Sequence, residues 1–350
     1  MIFLKPKYQI TYNNNQYTFP FPLSDNITYV NQQKIKGLSL LKFILKIRWS
    51  RIKAKFKLRK TLSSKICYYG PFKGEFGHFL AHNLPFLMYL HKHGVKIHYC
   101  GMEIHKPFLI DEHGAPIYEK FFPLRDFFDE VAPNTNSTIP PEDVKIEIEN
   151  FKRIAKNSKL PFWDIENDFY YWFIHRHFVA NGHTHLYRLD KVYKTSNEFS
   201  CAIFPRSKGA KETHNNGKEW DYQKLLERIS GYFEKIYVCG HPSQCLTLKP
   251  LKNTLLYISS DNKKILEACS NSSLIITQHS GVNNLGEYLN KQVLIIYKGG
   301  SKVTDIGSMN NTLYFRKSLG EKKPLHFAFS EEEIEDYLKK FKMNYEQTVA

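Results

Sequence analysis

LIITQHSGVNNLGEYLNKQVLIIYKGG, residues 274–300, carries the alternation that decides the fold. Leu274-Ile275-Ile276-Thr277 is an apolar run with the length of a buried parallel strand. A polar, glycine-containing turn follows at 278–284, then a helical segment over about 284–289, then a second apolar strand, Val293 to Tyr297. Strand, polar turn, helix and strand make one unit of an α/β sheet. Free backbone N–H groups and the positive end of the helix dipole converge at such a turn, which suits a phosphate or diphosphate. Every α/β sheet needs polar turns there, so the loop alone points to the architecture and not to a ligand.

Upstream the same alternation continues. Phe199 to Phe204 reads as a strand that leads into Pro205-Arg206-Ser207-Lys208 and a polar loop to Trp220. A helix over 221–233 precedes the strand 235–239, which ends at Gly240-His241-Pro242-Ser243. The strand 254–258 and a helix over 261–270 lead back to the opening stretch. Residues 195–300 are therefore expected to form a parallel, doubly wound domain. Ligands of such sheets sit at the C-terminal ends of the strands, where Arg206, Lys208, His241 and the 278–284 loop fall.

A second unit lies further upstream: the strand 65–69, the turn Gly70-Pro71-Phe72-Lys73-Gly74-Glu75-Phe76-Gly77-His78, a helix over 79–93 stopped at Gly94, and the strand 95–100. No Gly-Lys-Ser/Thr ends this turn and it lacks GxGxxG spacing, so it is neither a Walker A loop nor a dinucleotide fingerprint. Its glycines suit the close approach of another backbone or of a sugar ring.

The remaining segments are less regular. Residues 1–35 alternate aromatic and polar positions, and a hairpin turning at Asn13-Asn14-Asn15 is expected. From Leu38 to Lys60 the chain is strongly basic, with Leu41, Leu45, Trp49, Ile52 and Phe56 at helical spacing. A basic amphipathic helix can lie on an anionic membrane surface. An ordinary surface helix, or a strand near the end where 52–58 alternate with charges, are the rival readings. Prolines 123, 133, 140 and 141 mark turns, and a helix is expected over 141–157. His175, His177, His183 and His185 invite a metal reading, but no carboxylate or Cys sits at a supporting spacing, so packed or surface histidines are expected.

At 350 residues, with 42% hydrophobic and 24% charged positions, the chain suits a globular protein of two domains. No apolar stretch reaches the length that spans a bilayer, and Met1 to Pro6 is too short for a secretory signal, so a cytosolic protein is expected. The six cysteines lack CxxC spacing and mostly lie in apolar runs, as buried reduced thiols do. The formal charge of +16 suits a nucleic acid, an anionic lipid or a phosphorylated substrate, although an AT-rich genome also yields excess lysine.

Lined up, these pieces resemble a glycosyltransferase of the GT-B architecture: an α/β protein with two Rossmann-like domains facing across a cleft. Three segments carry the resemblance: Phe204 to Lys208 after the first strand of the second half, His279 to Asn284 with Glu287 and Lys291-Gln292-Val293, and Gly77-His78-Phe79-Leu80 with Leu84-Pro85. The last resembles a "GHFLxxxLP" helix. With "HSGVNN" it is similar to the family of plant xylan transferases and endoplasmic-reticulum O-GlcNAc transferases. The chain departs from the superfamily's "G-K-P-V" strand entry at Asn290 and Gln292, and from the "HGAGLTN" loop at 279–284. The resemblance covers roughly 65–100 and 199–300.

It implies an acceptor-side domain over 1–190 that carries the basic segment 38–60, a nucleotide-sugar domain over 191–325 and a C-terminal helix over 326–350. It also implies transfer from a nucleotide-sugar donor to a glycan or glycolipid acceptor, in the cytoplasm or on a membrane surface. The sequence has no DxD motif, and neither Asp164-Ile165-Glu166 nor Asp126-Phe127-Phe128-Asp129 sits in a convincing loop, so no metal and no cofactor is expected. Leaving-group charge would fall to Arg206 and Lys208 with the amides and hydroxyl of Ser280 and Gly281. His279, Asn283 and Asn284 complete the donor loop, Glu287 faces a ribose or favours the helix N-terminus, and His241 or Pro242 borders the nucleobase. The general base is Glu75 or His78, with Gly74, Gly77 and His82 on the acceptor side, and Asp111 and Glu112 as outside candidates. A nucleotide-sugar epimerase shares this plan. A nucleic-acid-binding protein that used 42–60 and stacking aromatics is the non-enzymatic rival, without an RRM, KH or helix-turn-helix signature to support it.

Overall fold

The computed structural model describes residues 8–12, 15–19, 37–73, 76–127, 140–165, 178, 182–195, 198–205, 220–242, 245–278, 280–297 and 325–349. The expected hairpin is there: β1 (Tyr8–Tyr12) pairs antiparallel with β2 (Asn15–Phe19), Tyr12 opposite Asn15. The basic segment is one helix throughout, α1 (Gly37–Ser64), so the strand reading of 52–58 does not hold. Its Ala54 and Leu58 are buried, while Ile52 and Phe56 are exposed, which is a helical and not an alternating partition.

The N-terminal sheet is built from β3 (Ile66–Phe72), β4 (Lys96–Met102), β5 (Lys120–Leu124) and β6 (Phe162–Asp164), in the order β5-β4-β3-β6 and parallel throughout. Between β3 and β4 run a short helical turn (Phe76–His78), a π turn (Phe79–Asn83) and α2 (Leu84–Lys92). Gly94, at φ +72°, ends that helix in the conformation that glycine adopts without strain. A 3₁₀ turn (Glu103–Phe108) follows β4, and α3 (Glu142–Asn157) precedes β6. The connector α4 (Asp190–Tyr193) leads to the second half.

The C-terminal sheet comprises β7 (Ser200–Phe204), β8 (Lys235–Gly240), β9 (Thr254–Ile258), β10 (Leu274–Thr277), β11 (Gln292–Ile296) and β12 (Leu325–Ala328). Its order is β12-β11-β10-β7-β8-β9, with every pairing parallel. The chain thus builds outward from β7 to β9, returns beside β7 with β10, and builds outward again the other way, which is the doubly wound Rossmann order. Helices α5 (Tyr222–Ile229), α6 (Asn262–Asn271), α7 (Leu285–Leu289) and α8 (Glu331–Val349) complete this half. Asp221 caps α5 at the Lys224 amide (3.1 Å) and Asp261 caps α6 at the Lys263 amide (2.9 Å). Helix α5 stops four residues short of the expected Phe233, where Ser230 turns its hydroxyl back to the Glu227 carbonyl (2.6 Å) ahead of Gly231. Strand β12 was not anticipated: it adds a sixth strand at the sheet edge and takes residues 326–328 from the expected C-terminal helix, which begins only at Glu331, and its polar His326 breaks the apolar run that marks a buried strand.

Both faces of each sheet are covered. In β7, Cys201 and Ile203 join a core with Trp220, Leu226, Ile334 and Leu338, while Ala202 and Phe204 face the other way. That other core is continuous across the two halves: Cys67, Tyr69, Leu84 and Phe86 belong to the same buried cluster as Phe204, Tyr237, Leu285 and Tyr288. No disulfide is formed, five of the six cysteines are buried, and burial pushes the Cys67 thiol up to about 12.

Candidate functional site

The doubly wound order puts the reversal point of the C-terminal sheet between β7 and β10, and ligands of open α/β sheets bind outside the strand ends there. The turn after β10 starts from a fully buried strand. Ser280, in extended conformation, caps the 3₁₀ turn Gly281–Asn284 by accepting from the Val282 amide (3.3 Å), and its hydroxyl lies 3.2 Å from that of Thr277. The Asn283 amide donates to the Ser280 carbonyl (3.1 Å). Gln278, Asn283, Asn284 and Glu287 are all buried. Among the described residues the Gln278 side-chain nitrogen Nε2 and the Asn284 oxygen Oδ1 have no hydrogen-bond partner. A buried polar atom left in that state costs about 1–3 kcal/mol unless something supplies its partner.

The N-terminal sheet has its own reversal point, between β3 and β6, and the turn after β3 meets the turn after β10. The meeting is backbone on backbone. A Cβ built on Gly281 would lie 2.5 Å from the Gly77 nitrogen and 2.6 Å from its Cα, and one on Gly77 would lie 3.1 Å from the Gly281 Cα. The π turn behind Gly77 follows from Pro85. The Leu84 amide bonds the Phe79 carbonyl, and Pro85 has no N–H, so Leu80 O receives neither the α-type nor the π-type bond. The buried hydroxyl of Tyr288, from α7 of the other half, donates to Leu80 O at 2.5 Å. Asn83 closes the same turn: it accepts from the Tyr69 hydroxyl (2.7 Å) and donates to the His78 carbonyl (3.2 Å).

Two further contacts join strand ends of opposite sheets. Asp126, just beyond β5, lies 3.4 Å from Nε2 of His241, just beyond β8. Asn262, at the start of α6, donates to the Ile104 carbonyl beyond β4 at 2.6 Å. Between these contacts His105 is fully buried and stacks on Phe79 (ring centroids 4.3 Å apart, planes at 13°), with neither ring nitrogen hydrogen bonded among the described residues. Burial holds its pKa down at about 3, against the opposing pull of Asp126, so it is neutral at physiological pH.

Of the residues singled out from sequence, the structure brings together Gly77, His78 and His82 on one side with Ser280, Gly281, Asn283, Asn284 and Glu287 on the other. His82 is buried, His78 is half-buried, and their rings lie 6.0 Å apart. His241 stands at the next strand end along, facing Asp126. Gly74, Glu75, Arg206, Lys208, His279, His175 and His177 lie outside the described residues. Asp111 is engaged in its own loop, accepting from the amides of His113 (2.8 Å) and Ala115 (2.9 Å), and Glu112 sits near His113. His183 and His185 lie beside Tyr89 and Lys92, and burial lowers the pKa of each. Among the described residues no group of three His, Cys, Asp or Glu side chains could hold a metal ion. Tyr288, Asn83, Gln278 and His105 were not singled out. Only Gln278 had a signal, as the first polar residue after an apolar strand. An open hollow lined by Ser230, Gly231, Lys235, Asn253 and Leu255 lies where β8 begins, at the opposite end of the sheet, and contains none of the candidates.

No family model and no curated protein matches the chain. Among solved structures, it is similar to E. coli heptosyltransferase WaaC with ADP-2-deoxy-2-fluoro heptose, at TM-score 0.48 and 9% identity over 79% of this chain and 99% of that one. It is also similar to a glycosyl transferase family 9 structure from Veillonella parvula, at TM-score 0.41 and 13% identity over 79% and 89% of the two chains. At such identities the chemistry of the site has to be read from this chain's own residues.

Proposed function

We propose that the chain is a glycosyltransferase that moves a sugar from a nucleotide-sugar donor to a glycan or glycolipid acceptor. The observation that carries the reading is the meeting of two reversal points at Gly77 and Gly281, beside buried Gln278 and Asn284 atoms that lack partners. A two-substrate transfer needs two such ligand-binding strand ends opposed at close range. The donor diphosphate belongs at the turn 278–284, with Arg206 and Lys208 supplying positive charge, Glu287 and His241 flanking the nucleoside, and no metal taking part. The acceptor belongs on the Gly74–His82 side. There its hydroxyl oxygen attacks the anomeric carbon, the bond from that carbon to the phosphate oxygen breaks, and the hydroxyl proton passes to Glu75 or His78. The narrower likeness to the plant xylan and O-GlcNAc transferases rests on the motifs at 77–85 and 279–284 alone. We place the enzyme in the cytoplasm, on a membrane surface when its acceptor is a glycolipid.

The test is a thermal-shift screen with UDP, GDP, CMP and ADP, then with their sugar conjugates. One nucleotide is expected to raise the melting temperature, by an amount that grows with its concentration. Arg206→Ala is expected to abolish transfer while the melting temperature without nucleotide stays put. Silence from all four nucleotides, with salt-dependent retention on nucleic acid, overturns the reading.

A further inference from the structure

Helix α1 buries one side and leaves the other uncovered. Ala54 and Leu58 enter the core, and Thr61 accepts from the Trp163 indole at 3.1 Å. On the opposite side Leu38, Leu41, Leu45, Trp49, Ile52 and Phe56 are 45–77% exposed. At 3.6 residues per turn those six positions fall within roughly a quarter of the helix circumference, a single unbroken stripe. Six large apolar side chains in a row on a solvent face are unlike the scattered apolar residues of an ordinary surface.

The charges around the stripe define what can cover it. The helix contains no acidic residue along its 28 positions. Lys42, Lys53 and Lys60 project along one flank of the stripe, and Arg48, Lys55 and Arg59 along the other, all exposed. Lys53 lies 5.4 Å over the Trp49 ring and Arg59 5.8 Å over that of Phe56, so the cations sit at the stripe's edge, their stems against its aromatic rings. A second copy would oppose cation to cation. Nucleic acid would leave the aliphatic positions unmatched. A surface with anionic headgroups above an apolar layer matches both the stripe and its flanks.

We propose that α1 is an interfacial anchor that lies in the plane of an anionic bilayer, its 38–56 stripe sunk below the headgroups and its flanking cations among them. Among the described residues no helix is long and apolar enough to cross a membrane, so this is contact from one side. The anchor rests on the reading of a membrane-held acceptor for its purpose, but not for its test.

The experiment is co-sedimentation of the full chain with vesicles of phosphatidylcholine and phosphatidylglycerol in equal parts, against vesicles of phosphatidylcholine alone. Binding to the anionic vesicles only is expected. The double variant Trp49→Glu/Phe56→Glu, both at exposed positions and so keeping the wild-type melting temperature, is expected to lower the partition at least tenfold. Lys42→Gln/Lys53→Gln is expected to lower it about fivefold per cation and to flatten the salt dependence. No binding to anionic vesicles, equal binding to neutral ones, or an undiminished Trp49→Glu/Phe56→Glu variant overturns the anchor. So does a dimer that the double variant splits with no vesicle binding in the parent. Failure here while a nucleotide still raises the melting temperature removes only the anchor. Vesicle binding without any nucleotide response removes only the transferase reading.

Discussion

The turn after β3 and the turn after β10 hold equivalent places in their two sheets, yet they are finished differently. In the described part of the first, Asn83 is bonded on both sides, and the carbonyl that Pro85 leaves without a helical partner is taken by Tyr288 from the other half. The second is capped by Ser280 but keeps Gln278 Nε2 and Asn284 Oδ1 buried and unmatched. The backbone of the first turn is braced as a wall, and the second keeps open capacity as a receptor. Proteins rarely leave buried hydrogen-bonding capacity idle, and the places where they do are where a ligand is expected to complete the set.

The contrast can be broken most severely at its point of contact. Gly281→Ala puts a methyl 2.5 Å from backbone that cannot step aside, and we expect a loss on the order of 3 kcal/mol or more in denaturant unfolding. Gly77→Ala, whose nearest atom would be 3.1 Å away, is expected to cost clearly less. Equal costs would mean that the two turns are not in the tight register described. Next, Tyr288→Phe removes the donor to Leu80 O and leaves a buried carbonyl unpaired, at about 1–3 kcal/mol. An unfolding midpoint equal to that of the parent would contradict the wall.

His105 gives a pH handle on the same interface. Its folded pKa, about 3, is below the ordinary 6.5, so the unfolded chain takes up the proton first. Its contribution to stability is undiminished above about pH 6.5 and declines as the pH falls towards 3, by up to about 1.4 kcal/mol per pH unit. Denaturation series for the parent and His105→Phe are expected to diverge in that window, with the variant flatter and no less stable at neutral pH. Parallel series would exclude a buried neutral histidine.

The smallest effect on stability is the sharpest test of the receptor. Asn284→Leu removes an unmatched polar atom and is expected to change stability by no more than about 1 kcal/mol in either direction. At the same time it should weaken the thermal shift produced by the nucleotide found in the screen. A variant that lost several kcal/mol and bound normally would make Asn284 a structural residue.

Much of this was legible in advance because strands buried on both faces write themselves as apolar runs. Thr254–Ile258 appears at the expected bounds, Leu274–Thr277 likewise, and α5 and α6 start after residues with side-chain caps, Asp221 and Asp261. β12 escaped because it is a half-covered edge strand whose His326 breaks the apolar run, where Leu274–Thr277, of the same length, is unbroken and buried. The site was legible by half. Gly77 could be marked as a place of close approach and Gly281 as a phosphate-facing amide, but not the two as partners, because a contact between positions about two hundred residues apart leaves no local trace. Tyr288 looked like any buried tyrosine, and its role depends on a proline in the other half. His105 was hidden for the same reason, since burial comes from packing that no single segment encodes.

The contact between Gly77 and Gly281 also has a historical side. A side chain at either place is admissible only if the opposite turn retreats first, so neither position can drift alone. The two halves of the chain are thereby yoked: among descendants of this sequence, enlargement at one glycine should be found only where the other turn has been rebuilt, and grafting one half onto a foreign partner should fail at this point before any other.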